Sequence, residues 1–189
     1  MPRAGLSPAA VVDAALRVVD AAGPAALTLA AVAAQCGVAT PSLYKHVAGL
    51  PELRALLAAR LIDELTTVTT AAMLGRSGDD ALEALMVAYH AYATESPHRY
   101  AMIPQRPDSD EAVTAAAGRM IAVVFAVFKA YDLTDDQVVH ATRVLRAAMH
   151  GFATLQVEGS FQLAQDIATT HRVLIETMKA LRVAAGSAS

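Results

Sequence analysis

The sequence predicts an all-α fold of about nine helices, divided between a small N-terminal head and a larger C-terminal body. Three observations predict it. Apolar residues recur at intervals of three and four through most of the chain, as on one face of an α-helix, and no stretch alternates as a half-buried strand does. Ser/Thr–Pro pairs and isolated glycines punctuate the chain where helices of ordinary length start and stop. The composition is 55% hydrophobic and 17% charged, with an alanine excess that favours helix and excludes a disordered chain.

The elements follow in order. Ser7-Pro8 is a cap with a first-turn proline, and Val12, Leu16 and Val19 keep helical spacing until Gly23-Pro24. Thr28 caps a short helix, Leu29 to Cys36, which Gly37 ends. Thr40-Pro41 repeats the cap-plus-proline device and opens a helix from Pro41 to about Val47. Gly49 breaks it, and Leu50-Pro51 starts a long helix running past Leu65. Gly75 to Gly78 is a turn, and Asp79 opens a helix to about Glu95. Ser96-Pro97 caps a short piece, His98 to Met102, and a loop follows from Pro104 to Asp110. A long apolar helix then runs to about Tyr131. Thr134 caps another, to about Val157, and Gly159-Ser160 separates it from the last, Phe161 to about Arg182. The tail from Ala184 to Ser189 is expected to fray.

At 189 residues the chain can build a core without disulfides or a structural metal. Its single cysteine, Cys36, excludes an internal disulfide framework and a Cys-rich zinc site. It reads as a small hydrophobe at a helix junction. No histidine pair lies at i, i+4, so no metal site is expected. No cofactor motif is found, and no nucleophile–base pair or phosphate-cradling glycine loop points to an enzyme. The greasiest run, Met120 to Phe128, is nine residues between Arg119 and Lys129, well short of the ~20 a membrane span needs. The N-terminus lacks the apolar region of a signal peptide. The expectation is a soluble, cytoplasmic protein with no membrane partner.

Charge is unevenly placed. Residues 1–60 carry five basic and three acidic groups, and the other 129 carry ten basic and fifteen acidic groups. A mildly basic head on an acidic body suits a nucleic-acid-reading N-terminus.

Residues 28–47 read Thr-Leu-Ala-Ala-Val-Ala-Ala-Gln-Cys-Gly-Val-Ala-Thr-Pro-Ser-Leu-Tyr-Lys-His-Val, a helix-turn-helix pattern. Ala33 and Ala34 let two helices approach closely. Gly37 supplies the backbone angle that ends the first, and Val38 plugs the corner. Leu43 and Val47 face the core, which leaves Ser42, Tyr44, Lys45 and His46 outward.

With Leu53 and Leu57 on the following helix, these residues resemble the TetR family of one-component transcriptional regulators, over residues 7 to about 62. The resemblance implies a homodimeric repressor. Residues 1–50 would form a three-helix DNA-binding domain, and residues 51–189 a ligand-binding and dimerisation domain. Thr28 would contact a phosphate; Thr40, Pro41, Ser42 and Lys45 would face base edges; Tyr44 and His46 would contact phosphates. The sequence departs from the family in two places. Ala48-Gly-Leu50-Pro51 offers no basic phosphate clamp after the recognition helix, and Leu29-Ala30 stand where a basic residue is common. Farther on, Ala148-Met-His-Gly-Phe152 and Glu158-Gly-Ser-Phe161 resemble the subgroup with a Trp-His-Gly (WHG) signature, Met149 standing in the Trp position.

The implied partners are a palindromic double-stranded DNA operator, a second copy of the chain and a small, largely apolar effector. Apolar walls with a few polar groups are what effector pockets use. Candidates are Tyr89, His90 and Tyr92, with Tyr100 and Met102 nearby. Met120, Phe125 and Phe128 precede the last two helices, and Arg146, Met149 and His150 lie on the penultimate one. The same residues would serve as ordinary core. Two seams at the C-terminus suggest a four-helix bundle built from two copies. The first runs through Val138, Thr142, Leu145, Met149 and Phe152, and the second through Leu163, Ile167, His171, Leu174, Met178 and Leu181. Phe152, Leu155, Leu163, Ile167, His171, Leu174 and Met178 are the expected interface residues. The alternative reading is a helical small-molecule-binding or protein-interaction module with weakened DNA binding.

Overall fold

A computed structural model describes residues 6–105 and 110–186, with side chains to residue 180. The described residues form eight α-helices and two 3-10 helices, with no strand among them. The α-helices are α1 (Pro8–Ala22), α2 (Leu29–Cys36), α3 (Leu50–Met73), α4 (Gly78–Glu95), α5 (Pro97–Tyr100), α6 (Glu111–Phe128), α7 (Asp135–Val157) and α8 (Ile167–Gly186). The 3-10 helices are Pro24–Ala26 and Thr40–Lys45. Of the loop expected at Pro104 to Asp110, residues 106–109 lie outside the described residues, as do the side chain of Leu181 and the end of the tail.

The helix starts have local causes. Ser7 Oγ accepts the N–H of Ala10 at 3.2 Å, and Thr28 Oγ1 accepts that of Ala31 at 3.1 Å. Thr134 forms a full capping box: its side chain accepts from Gln137 N, and the Gln137 side chain accepts from Thr134 N at 2.8 Å.

Three expected boundaries are corrected. The last helix begins at Ile167, not at Phe161. The Asp166 carboxylate accepts the N–H groups of Ala168 at 3.3 Å and Thr169 at 2.9 Å, and so caps the chain into helix there. The segment expected as a helix from Pro41 is the 3-10 helix Thr40–Lys45, with Ala39 in place of Thr40 at the cap. Ser96 makes no side-chain cap to α5; only its carbonyl engages, accepting from Tyr100 N at 2.9 Å.

The chain divides into two compact units. The first comprises the described residues up to Asp63 together with Ser96 to Ala117. Its core draws Val11 and Val19 from α1, Leu27, Val32 from α2, Leu43 and Val47, Leu53, Leu57 and Leu61 from α3, and Met102. Each large apolar side chain buried this way contributes about 1.5–3 kcal/mol. Arg60 of α3 pairs with Asp13 of α1, and Arg99 of α5 pairs with Asp20 of α1.

The second unit comprises Glu64 to Glu95 and the chain from Gly118. Here α4, α7 and α8 pack on one another. Leu82, Leu85 and Met86 of α4, Leu145, Met149 and Ala153 of α7, and Ile175 and Met178 of α8 are buried. Lys179 of α8 reaches Glu83 of α4 at 2.6 Å and Glu176 at 2.8 Å. The apolar helix α6 is long and apolar enough, by length and composition, to cross a membrane, with 28% of its 18 residues buried. It carries Glu111 in its first turn and an exposed Arg119 near its middle.

Candidate nucleic-acid interface

The first unit presents one compact motif built from α2, a glycine turn and the 3-10 helix. At the end of α2, Gly37 adopts φ 68°, ψ 33°, the left-handed region that favours glycine. A Cβ there would meet nothing within 4 Å, so the backbone angle and not space calls for glycine. The turn is closed by Gly37 N donating to Ala34 O and Val38 N to Ala33 O, both at 3.0 Å. The chain then reverses through Val38, which packs partly buried on the core.

In a 3-10 helix, residues three apart align on one face. Pro41 is restricted to a helix-compatible φ and has no N–H to leave unsatisfied, which suits it to the first turn. Pro41 and Tyr44 are both exposed, Tyr44 to 57%. Ser42 and Lys45 share a second face, half-buried and exposed respectively. Thr40, Leu43 and His46 form the third row, with Leu43 buried between two half-buried neighbours. Leu43 and Val47, at 0% and 2% exposure, anchor the segment from below. The last turn relaxes to α geometry, with Val47 N donating to Leu43 O at 3.0 Å. The arrangement offers a proline edge, two hydroxyls, a phenol, an ammonium and an imidazole above an apolar anchor.

Thr28 is exposed at the start of α2, but its hydroxyl oxygen already accepts from Ala31 N; its O–H still has a proton to donate outward. Cys36 is half-buried against the core at the end of α2. Burial pushes its thiol pKa up, and the positive charge of Arg17 opposes that shift.

Sequence reasoning did not single out Arg54 or Glu52. Arg54 Nη2 reaches the carbonyls of Pro24 and Leu27, both at 3.4 Å. The Glu52 carboxylate accepts the N–H of Ala48 at the approach to α3. No local pattern marks the first, since its partners lie about thirty residues away. The second sits four residues from its partner and is a visible capping acid in retrospect.

The expected effector residues fall into both units. Tyr100 and Met102 are buried in the first, Met102 within the head's own core. The others lie in the second unit. Tyr89, Tyr92, Phe128 and Met149 are buried, His90, Met120, Phe125 and His150 are half-buried, and Arg146 is exposed. His90 Nε2 and Gln156 Oε1 are 2.7 Å apart, and the His90 ring stacks on His171 with centroids 4.2 Å apart. Phe152 lies 5.5 Å from His90 and 5.2 Å from both His171 and Phe161. One ring cluster therefore joins α4, α7, α8 and the connection before α8, combining an expected effector residue with two expected interface residues. Burial, and then the neighbouring His90, lower the pKa of His171 to about 4. Burial, and then Arg146, lower that of His150, whose Nδ1 is 3.5 Å from Thr154 Oγ1.

Of the remaining interface residues, Met178 is buried within its own unit, and Ile167 and Leu174 are half-buried. Leu155 and Leu163 are exposed, Leu163 to 83%, because it lies before the helix start at Ile167. Val173, which was outside the expected seam, is exposed to 60%. It stands with Ile175 and Ala180 in an open groove of 710 Å3 whose rim includes Glu83 of α4.

Comparison with known proteins agrees with this organisation. Residues 11–46 match the model for bacterial regulatory proteins of the tetR family, and residues 82–178 match the tetracyclin repressor-like C-terminal domain. The chain is 36% identical over 185 residues to the HTH-type transcriptional regulator Rv0681 of Mycobacterium tuberculosis, covering 97% of this chain and 82% of that protein. It is 32% identical over 167 residues to the HTH-type transcriptional regulator YobS of Bacillus subtilis, covering 88% and 87%. A TetR variant from Acinetobacter baumannii AYE, solved in complex with minocycline, superposes with a TM-score of 0.70 at 17% identity, covering 93% and 96% of the two chains. That likeness concerns the fold.

Proposed function

Because the chain belongs to the TetR family of bacterial regulatory proteins, we propose that it is a homodimeric repressor that reads a palindromic operator and is released by a small, largely apolar effector. The observation that carries this reading is the segment Thr40–Lys45. Its apolar residue Leu43 is wholly buried, while Pro41, Tyr44 and Lys45 are free to meet another surface. Lys45, Ser42, Thr40 and Pro41 face base edges in the major groove, and Tyr44, His46 and Thr28 hold phosphates. Two such heads read half-sites about 34–36 Å apart or somewhat more.

The dimer reading is supported by the unpartnered apolar surface at the C-terminus. Among the described residues, half of the exposed large hydrophobic side chains, Val144, Leu155, Val157, Leu163 and Val173, lie in or between α7 and α8, where a second copy would cover them. The effector lies in the second unit among Tyr89, His90, Tyr92, Met149 and His150. It acts by binding better to the state whose heads no longer fit the operator. That a protein of the same fold from Acinetobacter baumannii AYE was solved in complex with minocycline supports a small-molecule ligand for this chain. The burial of Met149 supports the WHG subgroup, with methionine filling the core position of its Trp. The protein acts in the cytoplasm, as a regulator and not an enzyme.

The test is fluorescence anisotropy with the DNA flanking the protein's own gene, titrated at several salt concentrations and repeated with random-sequence competitor. Selective, salt-dependent binding that a ligand weakens is the expected result. A folded dimer that binds all DNA equally, or none, overturns the operator-reading proposal and favours the interaction-module alternative. The absence of a basic residue at Leu50-Pro51 is what keeps that alternative open.

A further inference from the structure

Pro24, the N-terminal half of α3 and the segment after α5 wall a groove of 690 Å3 in the first unit, and Arg54 lies in it beside Ala58, Met102 and Pro104. Arg54 is half-buried. A guanidinium has five N–H donors and accepts nothing. In Arg54 a single nitrogen, Nη2, is engaged, shared between two neutral carbonyls, Pro24 O and Leu27 O, at a long 3.4 Å from each. Nε and Nη1 meet no acceptor among the described residues. The two acids in the same groove are bound to backbone amides: Glu52 holds Ala48 N, and Asp110 holds Ala112 N at 2.9 Å and Val113 N at 3.3 Å. A permanent positive charge therefore stands in an open groove with no ion-pair partner among the described residues. The Leu27 carbonyl it touches belongs to the peptide bond that leads into Thr28, the exposed cap of α2. The start of α3 meanwhile has no cation of its own, its first residues being Leu50 and Pro51.

We propose that Arg54 binds a backbone phosphodiester of the DNA strand that passes Thr28, supplying from the second turn of α3 the positive charge that the first turn lacks. The proposal rests on the DNA-reading function above. The carbonyl contacts occupy Nη2 alone, which leaves the N–H donors of Nε and Nη1 to meet phosphate oxygens singly while the guanidinium stays held. Such a contact adds affinity without sequence preference, because it is made to the strand backbone.

The experiment compares wild type, Arg54→Gln and Arg54→Lys in the anisotropy assay across a salt series, with thermal melting of each. Gln keeps an N–H2 for the two carbonyls but removes the charge, so it separates a staple from an ion contact. The expected result for Arg54→Gln is unchanged melting, several-fold weaker binding at low salt and a log K against log[salt] slope shallower by about 1.8, one phosphate contact being lost from each head of the dimer. Arg54→Lys should keep the wild-type slope. Parallel lines for wild type and Arg54→Gln overturn the proposal, whether or not affinity falls, because a structural staple leaves the count of neutralised phosphates unchanged. Inorganic phosphate added without DNA, against chloride at equal ionic strength, provides a second arm. A stabilisation lost in Arg54→Gln, with parallel salt lines, would give the site to a free phosphorylated ligand and overturn the DNA contact. Wild type binding no DNA at all overturns the functional reading and this contact together, whereas normal wild-type binding with parallel lines overturns this contact alone.

Discussion

Arg99 holds Asp20 through one edge of its guanidinium, Nε donating to Oδ1 at 2.8 Å and Nη2 to Oδ2 at 2.7 Å. This two-point grip fixes the short helix α5 against the last turns of α1. Beside it, the His98 ring lies 3.5 Å from where a Cβ on Gly23 would stand, at a glycine with φ 78°. Both side chains of the ion pair remain partly exposed, at 29% and 38%. Water and salt therefore screen the pair, and Arg99→Gln is expected to cost only about 0.5–1 kcal/mol, shrinking as salt rises. Urea unfolding of Arg99→Gln, Asp20→Asn and the double variant at low and high salt measures it. A coupling above about 2 kcal/mol would show that the pair is shielded far more than its exposure implies.

The recognition segment should separate stability from DNA affinity residue by residue. Leu43→Ala is expected to destabilise the first unit by about 2–5 kcal/mol, since it empties a wholly buried site. Tyr44→Ala and Lys45→Ala, both at exposed positions, should leave melting nearly unchanged and weaken DNA binding, Lys45→Ala by about 1–3 kcal/mol for a lost base contact and Tyr44→Ala through a lost phosphate contact. Thermal melts and anisotropy on the same preparations read the two effects.

Gly37→Ala should destabilise by about 1–2 kcal/mol although the new methyl group meets nothing within 4 Å. The cost comes from forcing an L-side chain into φ 68°. Gly37→Asn should recover part of the loss, because asparagine tolerates the left-handed region better. Equal losses for the two variants in urea titration would point to a steric cause instead.

The ring cluster predicts an acid-sensitive second unit. The folded state holds the pKa of His171 near 4, below its ordinary value of 6.5, so folding favours the neutral ring. Stability from this group is complete above about pH 6.5 and declines as pH falls towards 4, where protonation would put charge against His90 in a half-buried site. His150, lowered by burial and Arg146, adds in the same direction. Unfolding free energy followed from pH 7.5 to 4.5 should fall less steeply for His171→Gln than for wild type.

The exposed apolar surface at the C-terminus predicts a concentration-dependent assembly. Leu163→Glu and Val173→Glu should shift the chain from dimer to monomer in sedimentation velocity, with little change in helix content by circular dichroism, since both side chains are exposed in a single copy.

What was legible in the sequence was what is decided within one helical turn. Ser7, Thr28 and Thr134 each satisfy an N–H three residues on, so cap and helix start can be read together. The same local chemistry was present at Asp166 and Thr169, but the break at Gly159-Ser160 and the seam beginning at Leu163 drew the expected start to Phe161, six residues too early. Asp166 wins because its carboxylate satisfies two backbone donors and the Thr169 hydroxyl at 2.7 Å, whereas Leu163 gains nothing from being helical while exposed. The tight pitch of Thr40–Lys45 escaped notice because a proline near a helix start is compatible with either pitch. Arg54 with Leu27, and His90 with Gln156 and His171, join residues far apart in the chain, and only the packing of helices brings them together.

Cys36 gives this fold a timer of its own. It is the single thiol of the chain, it sits where α2 turns into the recognition segment, and burial keeps it protonated and slow to react. An alkylating reagent therefore modifies folded protein slowly and opened protein quickly. The labelling rate rises with how often the thiol is uncovered, so operator DNA or an effector that steadies or loosens the surroundings of Cys36 would appear as a change in that rate.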